Sequence, residues 1–354
     1  MKIGAKILVM AALVALAACD NIGAEYPSDT IRFAVGGEID INSRAIIDQE
    51  SVNNTETPVR VTAKRGNTNI YNAEQIYRDA NTSEWLPTSN RRQSWQTGVA
   101  YEFYATSFSP STAKSNGGLN MVSDTRFTIT EPKEYDASGD SWVDYLLSHK
   151  FVQTVPEGMQ PPIVKLDMEH AVSLVEINIA KHISFEHIDV YLKEISLEGF
   201  YRSADMECLT HVQYGRGESL GWKYTNVGTM DAVYQIVGDE PTAVSGRKPL
   251  EVRGSEGGIR MRFLATPQQL GSSCVLKIGV WVNEKYNEEA EDKFVLNEYS
   301  FNLYQFATSE GVAIWKPAHH ILYTLEVDTG IRLEGSISPW IDVDYIEGTV
   351  LPHK

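Results

Sequence analysis

Two carboxylates near the C-terminus have the spacing of a chemical site. Asp342 and Asp344 are two positions apart in an alternating stretch, so both side chains would project from one face of a strand. A pair of this kind can bind calcium or act in acid–base hydrolysis. Solvated carboxylates on an outer strand face are the more common explanation for such a pattern.

Three histidines are the other candidates for chemistry. His170 lies in an alternating apolar segment, which favours a structural role, and His319 and His320 precede a strand in a predicted turn. A metal site at His319 and His320 would need partners that the sequence does not show. No P-loop, dinucleotide fingerprint, C-x-x-C or H-E-x-x-H spacing occurs. We therefore expect no catalytic residue, no metal and no cofactor.

Four aromatic residues could form a platform on which sugar rings stack: Trp85, Trp95, Tyr101 and Tyr104. Aromatic side chains in strands more often pack in cores. Both readings stay open from the sequence.

The N-terminus predicts export. Lys2 and Lys6 precede an apolar run from Ile7 to Ala18, and Cys19 follows at once. Positive charge, an apolar segment and small residues form a secretory signal, and the run is shorter than a membrane-spanning helix needs. The ending Leu16-Ala17-Ala18-Cys19 is similar to a bacterial lipobox, which predicts a signal peptide over 1–19 and lipidation of Cys19.

Composition limits the classes of partner. The net charge of −16 argues against nucleic acid, whose binding proteins need a basic surface. After Cys19, only Cys208 and Cys274 remain. Two cysteines make no disulfide framework, and we expect buried unpaired thiols, with a Cys208–Cys274 bond left open.

The elements that would position these residues are predicted to be strands. Alternating apolar residues recur in short segments that are typical of β-sandwiches. These segments include 31–41, 59–61, 98–105, 127–129, 164–168, 175–179, 188–197, 259–263, 274–282 and 294–306. The pattern shifts phase between Leu192 and Ile195, which indicates a bulge. Residues 321–327 and 331–337 predict a hairpin around Asp328-Thr329-Gly330.

Three stretches predict something other than a strand. Residues 67–90 are polar and rich in turn residues, which favours a long surface connection, and 142–147 could form a helical turn. Prolines within 155–162 favour an extended linker. We place the domain boundary there, giving an N-terminal domain of 20–162 and a C-terminal domain of 163–354.

Four features in this order resemble the fimbrillin family, the subunits of type V pili. The lipobox leader is followed by Ile31-Arg32-Phe33 and by Arg44-Ala45. The segments Val164–Val175, Ile314–Leu325 and Ile337–Trp340 are similar to the family's histidine-containing, W-x-P and near-terminal tryptophan stretches. The similarity covers almost all of the chain after Cys19 except about 62–96.

This resemblance implies an all-β fold of two transthyretin-like β-sandwich domains in tandem. It also implies a structural or adhesive subunit of surface fimbriae, with other fimbrial subunits, the outer membrane and a host or bacterial surface ligand as partners. In such proteins a lipoprotein precursor reaches the cell outer membrane, a protease removes the first strand, and a strand of the next subunit replaces it.

The residues of this chain that match these roles can be named. Ile31, Phe33 and Val35 would be the apolar side chains of the removable strand, and Arg44-Ala45 would be the cleavage site. The donor strand would carry the alternating residues Ile341, Val343 and Tyr345.

Two alternatives remain open. Arg44 could be an ordinary surface residue, with the last strands closing their own sandwich. The chain could also be a surface lipoprotein that binds glycans without polymerising.

Overall fold

The computed structural model describes most of the chain after the leader. The described residues are 28–37, 58–79, 84–108, 118–123, 126–131, 134–135, 144–148, 150–185, 188–208, 222–237, 250–253, 258–283, 293–309, 313–327 and 331–339. Almost all of their regular structure is β, so the all-β prediction is confirmed. The division into two domains stays a prediction.

In the described residues the strands follow one another in chain order, with two single-turn 3-10 helices, Ser89–Arg91 and Ile183–Phe185, and one short α-helix, α1 (Leu303–Ser309), before the last three strands. They are β1 Phe33–Gly37, β2 Val59–Arg65, β3 Thr68–Arg78, β4 Trp85–Pro87, β5 Ala100–Phe108, β6 Gly118–Ser123, β7 Arg126–Thr130, β8 Glu134–Tyr135, β9 Tyr145–Ser148, β10 Phe151–Thr154, β11 Val164–His170, β12 Ser173–Lys181, β13 Val190–Cys208, β14 Trp222–Val237, β15 Leu250–Glu251, β16 Ile259–Ala265, β17 Gln268–Gln269, β18 Val275–Asn283, β19 Phe294–Asn302, β20 Ile314–Trp315, β21 His319–Val327 and β22 Ile331–Pro339.

The first sheet returns on itself. Its order is β10-β5-β2-β3-β4-β1-β11-β9, and β9 also pairs with β5, so seven strands form a closed ring. The inward side chains of this ring form a core of their own, which includes Phe33, Val61, Phe103 and Leu166. β1 is an interior member of the ring, between β4 and β11.

Two further sheets face each other across a second core. One has the order β16-β12-β21-β22 and the other β19-β18-β13-β14-β8, and a small pair, β17–β20, lies beside them. Val175 and Ile321 come from one sheet, Ile195 and Ile278 come from the other, and all four lie in one buried cluster. This arrangement is a β-sandwich.

The two cores do not divide at the proline-rich linker. β11 follows the linker, yet it pairs with β1 and belongs to the first core, and the first residue after the linker that belongs to the second core is Ala171. In the other direction, the β6–β7 hairpin precedes the linker and pairs with the far half of β13. Five side chains from before the linker fill the second core: Tyr104, Phe127, Ile129, Tyr145 and Leu147.

Two predictions of non-strand structure are wrong. Residues 67–90 contain β3 and β4, because polar residues on the outer face of a strand hide the alternation of buried ones such as Tyr71 and Ile76. Within 142–147, the described residues 145–147 belong to β9, where every residue is buried and no alternation could mark a strand.

Two local predictions are confirmed. β21 and β22 form the predicted antiparallel hairpin, with Val327 opposite Ile331. The predicted bulge is present, since the register of β13 against β18 shifts between Leu192 and Glu194. Within the described part of the chain, no helix has the length and apolar character needed to cross a membrane.

Candidate functional site

The first strand lies in what we call the β1 seat, formed by β11 on one side and by β4 with residues 93–95 on the other. Along β11 the pairing is parallel, from Phe33 opposite Val164 to Gly37 opposite Met168. The Val164 N–H also donates to the Arg32 carbonyl at 2.9 Å. This edge of β1 is therefore hydrogen-bonded over its whole length.

The other edge of β1 is held by the chain around β4. Phe33 pairs with β4, and the Ile31 N–H donates to the Gln93 carbonyl at 2.9 Å. The Trp95 N–H donates to the Asp29 carbonyl at 2.8 Å. Because both edges are bonded, removing residues 29–37 would leave backbone donors and acceptors without partners on both walls.

The inward side chains of the first strand fill the first core. Ile31 and Phe33 are fully buried, and Val35 is half-buried against the same cluster. The Phe33 ring has edge-to-face contacts with Tyr71 and Phe103, at centroid distances of 6.1 and 5.9 Å. Burial of an Ile or Phe side chain contributes about 1.5–3 kcal/mol each.

Tyr71 connects this apolar pocket to the hydrogen bonds of the strand. Its hydroxyl accepts the Gln93 N–H at 3.0 Å, and the Gln93 carbonyl accepts the Ile31 N–H. Burial, opposed by the hydrogen bond from Gln93, raises the pKa of Tyr71 to about 12, so the hydroxyl stays protonated near neutral pH.

One ion pair closes the outward side of the β1 seat. Arg32 Nη1 lies 3.0 Å from Glu84 Oε1, and the two side chains are 32% and 17% exposed. Ala34, the next outward residue, is exposed opposite Lys165 of β11. The outward surface around the strand therefore has a partly buried acid at one position and an exposed base at the next.

A second cluster of residues joins the W-x-P stretch to the second core. The Trp315 ring stacks on Phe200 at 4.7 Å, and its Nε1–H donates to the Tyr323 hydroxyl at 3.1 Å. The Ser173 hydroxyl donates to the Lys316 carbonyl at 2.7 Å. The W-x-P stretch therefore contacts β13 through Trp315 and the histidine-containing segment through Lys316.

Those segments lie within a recognised family pattern. Residues 43–340 match the sequence profile described as fimbrillin-like. The chain belongs to the fimbrillin-like family. Fimbrillin-like proteins are structural fimbrial and adhesion proteins of the cell surface, which are not an enzyme family.

Solved structures with a similar chain trace include two fimbrial proteins. The tip fimbrial protein Mfa3 from Porphyromonas gingivalis is 9% identical, with 88% of this chain and 98% of that chain covered and a TM-score of 0.37. A fimbrial assembly protein from Parabacteroides distasonis is also 9% identical, with 88% and 96% covered and a TM-score of 0.38. No curated protein matches the sequence.

Several predicted site residues of this fimbrillin-like chain fall outside the described residues. They are Cys19, Arg44, Ala45, Ile341, Asp342, Val343, Asp344 and Tyr345. Their roles stay predictions. The strand that leads toward them, β22, pairs with β21 and, among the described residues, with no strand on its other edge.

Each of the three candidate histidines lies beside a polar group of the protein. His170 is buried, and its Nδ1 lies 3.0 Å from the buried carboxylate of Asp144. His319 Nδ1 lies 2.7 Å from the Pro317 carbonyl oxygen. His320 Nε2 lies 3.6 Å from Glu176. Among the described residues, no group of three or more His, Cys, Asp or Glu side chains could hold a metal ion.

Glu176 is the buried charge of this region. Its carboxylate lies 2.7 Å from Arg262 Nε on the neighbouring strand. Burial acts to raise the pKa of Glu176, but the nearby His320 imidazole and the charge of Arg262 outweigh it, so the pKa lies below its ordinary value of 4.5. Glu176 is therefore ionised in the folded protein near neutral pH.

The four aromatic residues of the predicted sugar platform pack inside the protein. Trp85, Trp95, Tyr101 and Tyr104 are each at most 6% exposed. Trp95 lies edge-to-face on Tyr101 at 4.7 Å in the first core. The core explanation is the correct one for these side chains, and they offer no flat surface to a glycan.

Cys274 is buried and free, as expected. Its Sγ lies 3.1 Å from the Gly199 carbonyl oxygen. Burial raises the pKa of the Cys274 thiol, and a hydrogen bond with the Gly271 backbone offsets this in part. A protonated, buried thiol is unreactive, so Cys274 is a packing residue.

One short motif has the spacing of a serine hydrolase. Residues 217–221 read Gly-Glu-Ser-Leu-Gly, but they lie outside the described residues. A nucleophile elbow sits between a strand and a helix. The next described residues, from Trp222 onward, form β14, whereas a nucleophile elbow would be followed by a helix.

Sequence reasoning missed the walls of the β1 seat. Tyr71 and Glu84 lie within the predicted surface connection, and no role is predicted for Gln93, although each contacts the first strand or supports it. The available signals are the apolar pairs Ile70-Tyr71, Ile76-Tyr77 and Trp85-Leu86 within a polar stretch.

Proposed function

We propose that this chain is a structural or adhesive subunit of a type V fimbria, exported as a lipoprotein through Cys19. Subunits assemble by donor-strand exchange after β1 is removed. The single observation that carries the proposal is the β1 seat. The first described strand is an interior strand of a closed sheet, bonded on both edges, with its apolar side chains in the core.

The geometry supports exchange on energetic grounds. An empty β1 seat would expose two unpaired strand edges together with the pocket of Ile31 and Phe33. An incoming strand with apolar residues at alternate positions supplies both the backbone hydrogen bonds and the side chains. Filling the seat is therefore strongly favourable once the original strand has left.

The chain around β1 also supports cleavage. β1 ends at Gly37 and β2 begins at Val59. A cut at Arg44-Ala45 falls between the two strands and breaks no pairing of the described sheet. The same cut removes the covalent link between β1 and the other described strands, so that β1 is held only by hydrogen bonds and packing.

The N-terminal sequence of protein sheared from intact cells tests the proposal. A start at Ala45 supports cleavage and strand exchange at the β1 seat. A lipidated start at Cys19 means that β1 stays in place, which contradicts exchange in this subunit and leaves an anchor subunit or a surface lipoprotein.

A deletion tests the donor role separately. Removal of residues 331–354 should abolish incorporation into polymers, because β22 and the predicted donor residues are lost together. Polymers that still form from the deleted chain would contradict that role. The wild-type chain expressed from the same promoter is the control.

A further inference from the structure

We propose that Glu84 makes the β1 seat selective for a strand that carries a basic residue directly before its large buried residue. This inference rests on the proposed strand exchange and adds the chemistry of the partner. The occupant is the donor strand of a different subunit, with Lys or Arg at the position that Arg32 holds here.

The first step is the position of Arg32 relative to the pocket. Phe33 is fully buried, and Arg32 directly precedes it with its side chain on the outward face. A strand that enters in the direction of β1 and places a large apolar residue in the Phe33 pocket places the preceding residue beside Glu84.

The second step is the strength of the charge preference. The Glu84 side chain is only 17% exposed, and its carboxylate lies 3.0 Å from Arg32. An ion pair whose acid is largely shielded from water is screened less than a pair on the open surface. When β1 leaves, Glu84 loses Arg32, and an incoming acidic residue would put two carboxylates together.

The third step is the sequence of this chain's own predicted donor. Ile341, Val343 and Tyr345 alternate with Asp342 and Asp344. If Val343 or Tyr345 enters the Phe33 pocket, an aspartate lies beside Glu84. If Ile341 enters it, Trp340 takes that position and supplies no charge. No register of the predicted donor offers Glu84 a base.

One attraction acts in the opposite direction. With Val343 in the pocket, Asp344 would take the place of Ala34, opposite Lys165 of β11 and, on the other edge, next to Glu84 before β4. Lys165 is exposed, whereas Glu84 is mostly buried, so solvent weakens the attraction more than the repulsion. The net effect disfavours a polymer of identical copies and favours a partner subunit with a basic donor strand.

The experiment measures strand replacement in a cut chain. Residues 20–354 are prepared with a site-specific protease sequence in place of residues 43–46, cut, and mixed with labelled peptides. The peptides are residues 28–38 and its variants Arg32→Lys, Arg32→Asp and Ser28→Asp, together with residues 337–348. The Ser28→Asp peptide is the matched control, because it carries the same added acid at an exposed position four residues before Arg32.

We expect the native and Arg32→Lys peptides to enter the seat with similar affinity. The Arg32→Asp peptide should bind about tenfold more weakly, the scale of one partly shielded ion pair. The 337–348 peptide should also bind weakly, and the Ser28→Asp peptide should bind as the native one does. In a Glu84→Gln chain the differences should vanish, and in a Glu84→Lys chain the Arg32→Asp peptide should bind better than the native one.

The outcomes separate this inference from the proposed function. If all peptides enter alike, strand exchange stands and the selectivity of Glu84 is overturned. If none enters, including the native sequence, exchange at this seat is overturned and the inference with it. A double-mutant cycle of Arg32→Gln and Glu84→Gln in the uncut chain gives an independent check, since zero coupling would overturn the inference whatever the peptides do.

Discussion

Phe33 is the side chain that ties β1 most directly to the aromatic rings of the first core. Its ring is fully buried between Tyr71 and Phe103, and its backbone pairs on both edges. The residue that follows, Ala34, is exposed. Adjacent positions of one strand therefore differ in burial, so a substitution at Phe33 can be tested against one at Ala34 as its control.

Phe33→Ala should destabilise the folded chain by about 3–5 kcal/mol, because a buried aromatic ring is replaced by a cavity. Urea denaturation of the uncut chain measures the change. Ala34→Ser, one residue away on the outward face, should change the free energy of unfolding by about 0.5 kcal/mol or less. Equal effects of the two substitutions would contradict the burial of Phe33.

Glu176 gives the fold a measurable dependence on pH. The pKa of Glu176 is lowered in the folded state, so its ionised form contributes stability above the ordinary value of 4.5 and this contribution is lost as the pH falls through the lower, folded value. Glu176→Gln should cost about 1–3 kcal/mol near neutral pH.

The difference in unfolding free energy between wild type and Glu176→Gln should shrink as the pH falls below 4.5. Carboxylates common to both proteins cancel in this difference. A difference in unfolding free energy that does not depend on pH would show that Glu176 contributes through packing and not through its charge.

At the scale of the element, β13 is the longest strand and the most irregular. It pairs with β18 and β7 along one edge and with β15 and β14 along the other, and its register against β14 shifts around Gly199. Gly199 has a φ of +85° and passes close to the backbone of Ser273. The glycine permits both the bulge and the close approach of β13 to the turn that precedes β18.

Gly199→Ala should destabilise the protein strongly, because the new Cβ would lie 2.8 Å from the Ser273 carbonyl carbon. Gly228→Ala is the matched control: its φ of +87° is nearly the same, but no atom lies within 4 Å of its Cβ. The control should lose about 1–2 kcal/mol from backbone strain alone. Thermal unfolding compares the stability of the two variants. An equal loss of stability would contradict the close contact between Gly199 and the Ser273 backbone.

At the scale of the whole molecule, the two cores are built from interleaved parts of the chain. The β6–β7 hairpin lies on the far half of β13, where Arg126 and Thr128 contact Asp205 at 3.0 and 2.7 Å. β11 lies in the first ring although it follows the proline-rich linker. The sequence boundary at residue 163 is thus crossed in both directions by strand pairs.

Residues 163–354 expressed alone should fail to unfold cooperatively, because five side chains of the second core would be missing and an edge of β13 would be open. Denaturation followed by tryptophan fluorescence tests this, with the buried Trp315 as a reporter. Co-expression with residues 20–162 is the control and should restore the transition. A steep transition of the isolated segment would show that it folds as an independent domain.

The sequence alone determined the features that depend on neighbouring residues. Alternating apolar positions predicted most strands, the phase shift predicted the bulge of β13, and Asp328-Thr329-Gly330 between two alternating runs predicted the β21–β22 hairpin. The order of short segments also indicated the fimbrillin-like family.

Only the tertiary structure decided which strands meet. Glu84 is 52 residues from Arg32 along the chain, and β1 is parallel to a strand more than a hundred residues later, so no local pattern connects them. Strand neighbours are chosen by the shared burial of side chains from distant segments, and a single sequence does not record that choice. The β1 seat, and the charge that we propose selects its partner, are products of that long-range packing.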